Sequence, residues 1–412
     1  MTDGVLFLSH RIPFPPNRGD KIRSHHLLRH IAGLAPVHVA TFADDAADMA
    51  AEPELAALTA SHCLVQRTKP LWRAGVEALV SGKPISLTAF RSSAVAAYVH
   101  KLIASGQIAT IYAFSGQMGQ YIPASFTGRV VFDFVDVDSA KFEAYAENGK
   151  GPRRWIDARE GRLLAAEETR LAARSQISLL VSNEEAALFR ARLAPEIRGA
   201  CEVRALRNGI DSQTFDPATC HPAAAMMQCT GPRIIFAGQM DYAPNIAAAM
   251  RAALRLMPAI RSRFAGATLH IVGRNPPADL TALSGQDGVH VWGAVDDIRE
   301  WVAAADLALV PLDIARGVQN KVLEAMAMAK PVVLTPAAAT GIGGEDGKSY
   351  AVGDCDAQLV GRMFALLADD LAALKMGENA RRFVVDTLSW KATLAPLAGM
   401  LGLPQAANRH AA

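Results

Sequence analysis

The residues best placed for chemistry stand in the run Arg316-Gly317-Val318-Gln319-Asn320-Lys321-Val322-Leu323-Glu324. A short apolar strand, Leu307–Val310, precedes it. Gly317 lets the backbone approach a ligand closely. A helix follows, and its unpaired N–H groups and positive dipole end suit an anion. Lys321 and Glu324 are three residues apart and share a face near the first turn. There a cation meets a diphosphate, and a carboxylate accepts hydrogen bonds from sugar hydroxyls. The same two residues also read as a solvated surface pair, worth about 0.2–0.5 kcal/mol. The flanking residues favour the site: Ala325, Ala327 and Ala329 allow close helix packing, and Pro331-Val332-Val333 starts a central strand.

Other candidates are less specific. Asp133, Asp136 and Asp138 stand at the end of an expected strand, Arg129–Val135. Clustered carboxylates there could orient an acceptor hydroxyl or steady a positive centre. They read equally as loop caps. Asp136 and Asp138 share a face if the strand continues. The first thirty residues hold Arg11, Arg18, Lys21, Arg23 and Arg29, with His10, His25, His26 and His30, against Asp3 and Asp20. His26 and His30, four apart, read as a surface helix face. Trp72, with Lys69, Arg73, Lys83 and Arg91, lies in the apolar stretch Leu71–Leu87. That stretch suits docking on an anionic membrane surface, or a core helix.

Elements must position these residues. The chain has 412 residues, 51% of them apolar and 20% charged. Two domains with separate cores fit that length. Net charge is +2, with 25 basic against 21 acidic residues in 1–210 and 17 against 19 in 211–412. Such a balance excludes a nucleic-acid partner as the expected reading. Five scattered cysteines without a C-x-x-C pair argue against a disulfide framework and fit a reducing cytoplasm. Cys220-His221 and Cys229 lack a fourth ligand at metal spacing, and no metal is expected. Val5–Leu8 is too short for a signal peptide core, and no stretch reaches the roughly 20 apolar residues of a membrane span.

Short apolar runs predict strands at Val5–Ser9, Val37–Phe42, Cys63–Gln66, Ile108–Phe114, Arg129–Val135, Ile177–Ser182 and Glu202–Arg207. Six more follow at Arg233–Ala237, Thr268–Val272, Val289–Trp292, Leu307–Val310, Val332–Leu334 and Ser349–Val352. Helices at about 244–257, 297–304, 318–329, 356–368 and 370–386 separate the second set. The alternation predicts α/β architecture: two Rossmann-like lobes with parallel sheets facing across a cleft, and ligands at the carboxyl ends of the strands. Residues 212–231 lack apolar periodicity and carry Asp216-Pro217, His221-Pro222 and Gly231-Pro232, which reads as a linker. The expected organisation is a lobe over 1–211, the linker 212–231, a lobe over 232–386, a helix over 387–404 and a tail over 405–412. No G-x-G-x-x-G follows the first strand, which weakens a dinucleotide-dependent dehydrogenase.

The segment Lys321-x-x-Glu324-Ala325-x-Ala327-x-x-x-Pro331-Val332-Val333 resembles the signature of the group 1, retaining, GT-B-fold glycosyltransferases. Phe236-Ala237-Gly238-Gln239-Met240-Asp241-Tyr242-Ala243-Pro244-Asn245 looks like that family's first turn of the C-terminal domain. Asn208-Gly209-Ile210-Asp211 matches its hinge entry. Gly273, Gly293 and Asp306 follow strand ends as they do in the family. Ser389-Trp390 resembles the start of its final helix, which returns to the N-terminal lobe.

The resemblance implies a nucleotide-sugar donor in the C-terminal lobe, contacted by Gly238, Asn245, Gly273, Gly317, Asn320, Lys321 and Glu324, and by Gly19 from the N-terminal lobe, where an ordinary turn is the alternative. It implies no cofactor beyond the nucleotide diphosphate sugar. The acceptor, a saccharide or lipid-linked saccharide, falls to the N-terminal lobe, with Arg11, Arg23, Asp133 and Asp138 as candidate contacts and Asp136 as a candidate catalytic carboxylate. Ser9–Arg23 and Asp133–Ser139 resemble the sugar transferases of PEP-CTERM/exosortase loci, which implies exopolysaccharide assembly, in the cytoplasm or peripherally on the membrane's inner face. Two departures stand out. Arg316 occupies a position where the family often has Glu, and Gln239-Met240-Asp241-Tyr242 lacks the family's cations. Arg316 and Lys321 are therefore expected to hold the diphosphate. A nucleotide-sugar 2-epimerase and a non-catalytic two-lobed solute-binding protein are the alternatives.

Overall fold

A computed structural model describes residues 4–315 and 317–403; Arg316 lies outside the described residues. The chain divides into two compact units. One runs to Asn208 and resumes at Thr393, and the other is Gly209–Ala392.

The first unit is a seven-stranded parallel sheet. Its strands are β1 (Gly4–Ser9), β2 (Val37–Ala43), β3 (Ser61–Gln66), β4 (Ile108–Phe114), β5 (Arg129–Val135), β6 (Ile177–Leu180) and β7 (Glu202–Ala205). The order is β3-β2-β1-β4-β5-β6-β7. Val5 pairs with Val37 on one side, and Phe7 pairs with Tyr112 on the other. Helices cover both faces, so these strands are continuous apolar runs, and all six residues of β1 are buried. The strand order reverses between the parallel neighbours β1 and β4, which places a crevice at their carboxyl ends. The C-terminal residues complete this unit. Thr110 Oγ1 donates to the Leu401 carbonyl at 3.1 Å, and Arg129 Nε donates to that of Met400 at 2.6 Å.

The second unit is a six-stranded parallel sheet: β8 (Arg233–Ala237), β9 (Thr268–Val272), β10 (Val289–Gly293), β11 (Leu307–Val310), β12 (Val332–Leu334) and β13 (Ala351–Val352), in the order β10-β9-β8-β11-β12-β13. Ile234, Phe236, Leu269, Ile271, Leu309 and Val333 are fully buried in its core. The chain enters and leaves this unit side by side. Ile210 N donates to the Leu388 carbonyl at 2.8 Å, and Trp390 N donates back to Ile210 at 3.2 Å. Gly209 is needed there, because a Cβ would strike the backbone of Trp390.

Two expectations need correction. Residues 212–231 are not a free linker but part of the second unit. Met226 is fully buried, and Ala223 N donates to the Glu300 carbonyl at 2.8 Å. The proline spacing marks irregular backbone, and irregular backbone packs as well as regular backbone does once its polar groups are paired. The helix expected over 318–329 is shorter, Asn320–Ala327. Gly317 sits before it in a left-handed conformation, with φ of +67°. No described helix is long and apolar enough to cross a membrane.

Candidate functional site

The second unit carries a cavity of about 560 Å³ at the carboxyl ends of its strands. Three strand ends and the helix that follows a fourth strand form most of it. Gly238 follows β8, Gly273 and Arg274 follow β9, Ala294 and Val295 follow β10, and the helix Asn320–Ala327 follows β11.

Its floor depends on two glycines. Gly238 N donates to the Val272 carbonyl at 2.9 Å, and Gly273 N donates to that of Gly293 at 2.8 Å. A Cβ on Gly273 would land on the carbonyl oxygen of Gly238. A Cβ on Gly238 would stand 3.0 Å from Asn245 Nδ2 and 3.2 Å from Lys321 Cε. Without side chains at these positions, the backbone turns pack together and two polar side chains reach over them.

Those side chains are Asn245 and Lys321. Lys321 Nζ donates to Asn245 Oδ1 at 2.6 Å and stands 5.3 Å from the centre of the Phe236 ring. Asn245 Nδ2 donates to the Gln239 carbonyl at 2.9 Å, so both ends of the amide are committed and its orientation is fixed. Burial pulls the Lys321 ammonium down to about 8, with Glu324 opposing. Burial pushes the Glu324 carboxyl above its ordinary value, with Lys321 opposing. Glu324 makes no side-chain hydrogen bond among the described residues and lines the cavity with Asn320. This is a half-buried cation and carboxylate, three residues apart, near the start of a helix whose first N–H groups have no partner within the helix. The arrangement can receive a diphosphate on Lys321 and the helix start, and hydroxyl donors on Glu324. The pair lines a cavity rather than an open helix face.

Gly238, Asn245, Gly273, Asn320, Lys321 and Glu324 thus share one cavity. Gly317 is not among its lining residues. Arg274, at the end of β9, is a cavity-lining cation that the motif reading missed. Its position directly after Gly273 was the available signal, because ligands gather beyond strand ends.

The first unit holds Gly19, Arg11, Arg23, Asp133, Asp136 and Asp138. Gly19 begins the helix Gly19–Ala32 and is exposed, with open space where its Cβ would be. Arg11 is engaged by neighbours: Nε donates to Asp44 at 2.7 Å and Nη1 to Asp20 at 2.8 Å. Burial would raise the Asp20 carboxyl, but hydrogen bonds from His10 and Arg11 hold it well below its ordinary range.

Asp133 and Arg23 correct the acceptor-contact expectation. Asp133 is 0% exposed and Arg23 is 1% exposed. Asp133 Oδ2 accepts from Arg23 Nε at 3.0 Å and from Tyr112 Oη at 2.7 Å. Arg23 Nη1 donates to Asn208 at 2.8 Å. They form a closed internal network that no acceptor reaches.

The backbone separates the three aspartates. Val135 takes a φ of +69°, uncommon for a β-branched residue, at a register break between β5 and β6. Strand alternation stops there, so Asp133 points inward. Asp136 and Asp138 instead meet at Lys141 Nζ, 2.7 and 3.4 Å away. Burial raises the Asp138 carboxyl, with Lys141 opposing. Ser115, at the end of β4, also has a positive φ, +76°. Strain at two neighbouring strand ends is the kind of feature that collects at ligand sites.

Residues 231–369 match the family model described as glycosyl transferases group 1. That span contains every residue named above as lining the cavity. No curated protein sequence matches the chain. Similar solved structures cover both units. The sucrose-phosphate synthase of Thermosynechococcus elongatus has a TM-score of 0.57 at 16% identity, over 97% of this chain and 98% of that one. Anabaena HepE, solved with UDP and glucose, has a TM-score of 0.57 at 16% identity, over 97% and 99%. WaaG, a glycosyltransferase involved in lipopolysaccharide biosynthesis, has a TM-score of 0.55 at 18% identity, over 97% and 100%. At these identities the likeness shows the fold, which is GT-B: two α/β units, each on a parallel sheet.

Proposed function

We propose that this chain is a glycosyltransferase that takes a sugar from a nucleotide diphosphate donor bound in the second unit. The observation that carries the reading is Lys321 and Glu324, desolvated on one helix turn above the Gly238–Gly273 floor. The group 1 match over the same residues supports it, as do fold relatives that include a protein solved with UDP and glucose.

In this reading Lys321 and the start of the helix Asn320–Ala327 hold the diphosphate, with Arg316 as a second cation. Glu324 accepts hydroxyl hydrogen bonds. Gly238, Gly273, Asn245 and Asn320 shape the donor pocket, and Gly317 turns the backbone into the helix that carries Lys321 and Glu324. As the bond between sugar and diphosphate breaks, charge grows on the leaving phosphate, and fixed cations and N–H dipoles stabilise it without a metal ion. Asp136, with Asp138, orients the acceptor hydroxyl, and Arg11 lies among the acceptor contacts. The anomeric configuration is retained. The acceptor is a saccharide carried on a lipid, the pathway is exopolysaccharide assembly, and the enzyme works at the cytoplasmic face of the membrane in peripheral contact with anionic lipid.

A ligand that binds only the folded state raises its melting temperature. UDP-, GDP- and ADP-sugars should therefore be compared by thermal shift, and the stabilising donor then incubated with lipid-linked saccharide acceptors. A rise in melting temperature with one donor class and sugar transfer to acceptor support the reading. Indifference to all three donors overturns it. An epimerised sugar formed from donor alone replaces it with the 2-epimerase.

A further inference from the structure

The helix Leu71–Ser81 is built inside out. Its buried residues are the small Ala74 and Ala78. Its large apolar residues face solvent: Leu71 is 68% exposed, Trp72 72%, Val76 55%, Leu79 60% and Val80 86%. At about 3.6 residues per turn Trp72, Val76, Leu79 and Val80 fall on one arc opposite the two alanines, and Leu71 lies at its edge in the first turn. A helix of a water-soluble unit normally turns its large apolar residues inward. Here they form one contiguous outward patch, the kind of surface that marks an interaction site.

The charges around the patch indicate what covers it. Residues 67–91 contain Arg67, Lys69, Arg73, Lys83 and Arg91 against the single carboxylate of Glu77. Glu77 is already bound by Lys69 at 2.8 Å and Arg91 at 2.6 Å. Arg73 and Lys83 are exposed, and their side chains have no partner among the described residues.

A second tryptophan is fastened to this helix. In the helix Pro152–Ala172, Arg159 Nη2 donates to the Ala78 carbonyl at 2.8 Å and to that of Lys83 at 3.3 Å. Glu160 accepts from Ile85 N, Ser86 N and Ser86 Oγ, each at 2.8 Å. Trp155 stands one turn before Arg159 on the same helix face and is 61% exposed, and its neighbour Ile156 is 41% exposed. Arg153 and Arg154 beside them are exposed. The two segments are thus tied into one platform.

We propose that this platform docks the first unit onto an anionic lipid bilayer. Trp72, Leu79 and Val80 enter the headgroup layer, with Trp155 and Ile156 from the tied helix, and Arg73 and Lys83 meet lipid phosphates. Apolar and aromatic side chains flanked by cations are the composition that binds in the plane of such a surface. A second copy of the chain fits poorly, because a two-fold contact sets the same patch against itself and brings Arg73 and Lys83 together. The inference gives a location to the membrane contact in the reading above and rests on that reading for its purpose, while the contact can be tested without it.

The test is flotation of the full chain with vesicles of phosphatidylcholine alone and of phosphatidylcholine with phosphatidylglycerol. The unaltered protein should float with the anionic vesicles and be released by salt. Trp72→Glu with Val80→Glu should reduce flotation at least tenfold. Arg73→Glu with Lys83→Glu should weaken it by roughly fivefold per charge removed. Melting temperatures close to that of the unaltered protein establish that the variants fold. The proposal fails if the unaltered protein stays in solution or if folded variants float equally well. It also fails if the unaltered protein sediments as a dimer that Trp72→Glu dissociates. Donor binding measured on the same samples separates the outcomes, since loss of nucleotide-sugar binding condemns the transferase reading and leaves the flotation result standing.

Discussion

Lys321 Nζ lies 2.6 Å from Asn245 Oδ1, while Asn245 Nδ2 is held 2.9 Å from the Gln239 carbonyl. The amide therefore presents only an acceptor to the ammonium and carries no charge to balance it. Lys321 is a half-buried cation aimed by a neutral group, and Glu324 is the charge that opposes its burial cost. In the proposed reading a donor diphosphate adds a second countercharge.

Replacing either charged partner should therefore act on the bond-breaking step. Lys321→Ala and Glu324→Ala are each expected to lower sugar transfer by at least ~10²-fold, the scale of losing one preorganised electrostatic contact. Steady-state transfer assays with the stabilising donor check this. Turnover equal to that of the unaltered protein in either variant would reject the assigned roles.

The Lys321 ammonium titrates near 8, against 10.5 for an unperturbed lysine. Diphosphate binds the protonated form and raises its pKa. Donor affinity should then be full below about pH 8 and decline above it, by at most about tenfold per pH unit. Binding above pH 8 should take up a proton, which calorimetry in buffers of different ionisation enthalpy detects. The stability effect follows the same direction. Between about 8 and 10.5 the unfolded chain holds more protons at this group than the folded one. Its burial cost is thus present in full below about 8 and is relieved as pH rises towards 10.5. Lys321→Arg should flatten both profiles, because the guanidinium stays charged.

Gly273→Ala tests the floor. The new methyl would occupy the position of the Gly238 carbonyl oxygen, so one of the two turns must move. A loss of about 1–3 kcal/mol is expected from overpacking, together with weakened donor binding. Urea unfolding and thermal shift with donor measure the two effects. Native stability with native donor affinity would show that the close approach of the two turns is dispensable.

Asp133 offers a contrast between a structural and a chemical aspartate. Asp133→Leu leaves the fully buried Arg23 without its carboxylate, a change that typically costs about 3–5 kcal/mol. Asp136 is half-exposed and bound to Lys141, so Asp136→Asn should change stability little and transfer strongly. Denaturation midpoints and transfer rates of the two variants, measured side by side, should fall in opposite orders.

Much of this was legible in the residues. All thirteen strands stand within two residues of their expected ends, because a parallel strand covered on both faces is a short unbroken apolar run between turn signals. The first turn of the helix Asn320–Ala327 was legible for a similar reason: Lys321 and Glu324 are local neighbours. What escaped depends on long-range geometry. Composition marked Leu71–Leu87 as an apolar stretch but not whether its large residues turn inward. The pairing of Asp133 with Arg23 spans 110 residues, and a register break at Val135 set its direction. Arg274 belonged to no recognisable motif and is in the site only because β9 ends beside β8. Residues 212–231 carried the punctuation of a linker, and the burial of Met226 shows only in three dimensions.

The first unit is interrupted: the chain leaves it at Asn208 and resumes it at Thr393. On the ribosome, which emits roughly 5–20 residues each second, the seven strands of the first unit emerge before the second unit, and the segment from Thr393 that closes it emerges after. Until then Thr110 and Arg129 lack the carbonyls of Leu401 and Met400. The half made first is therefore finished last.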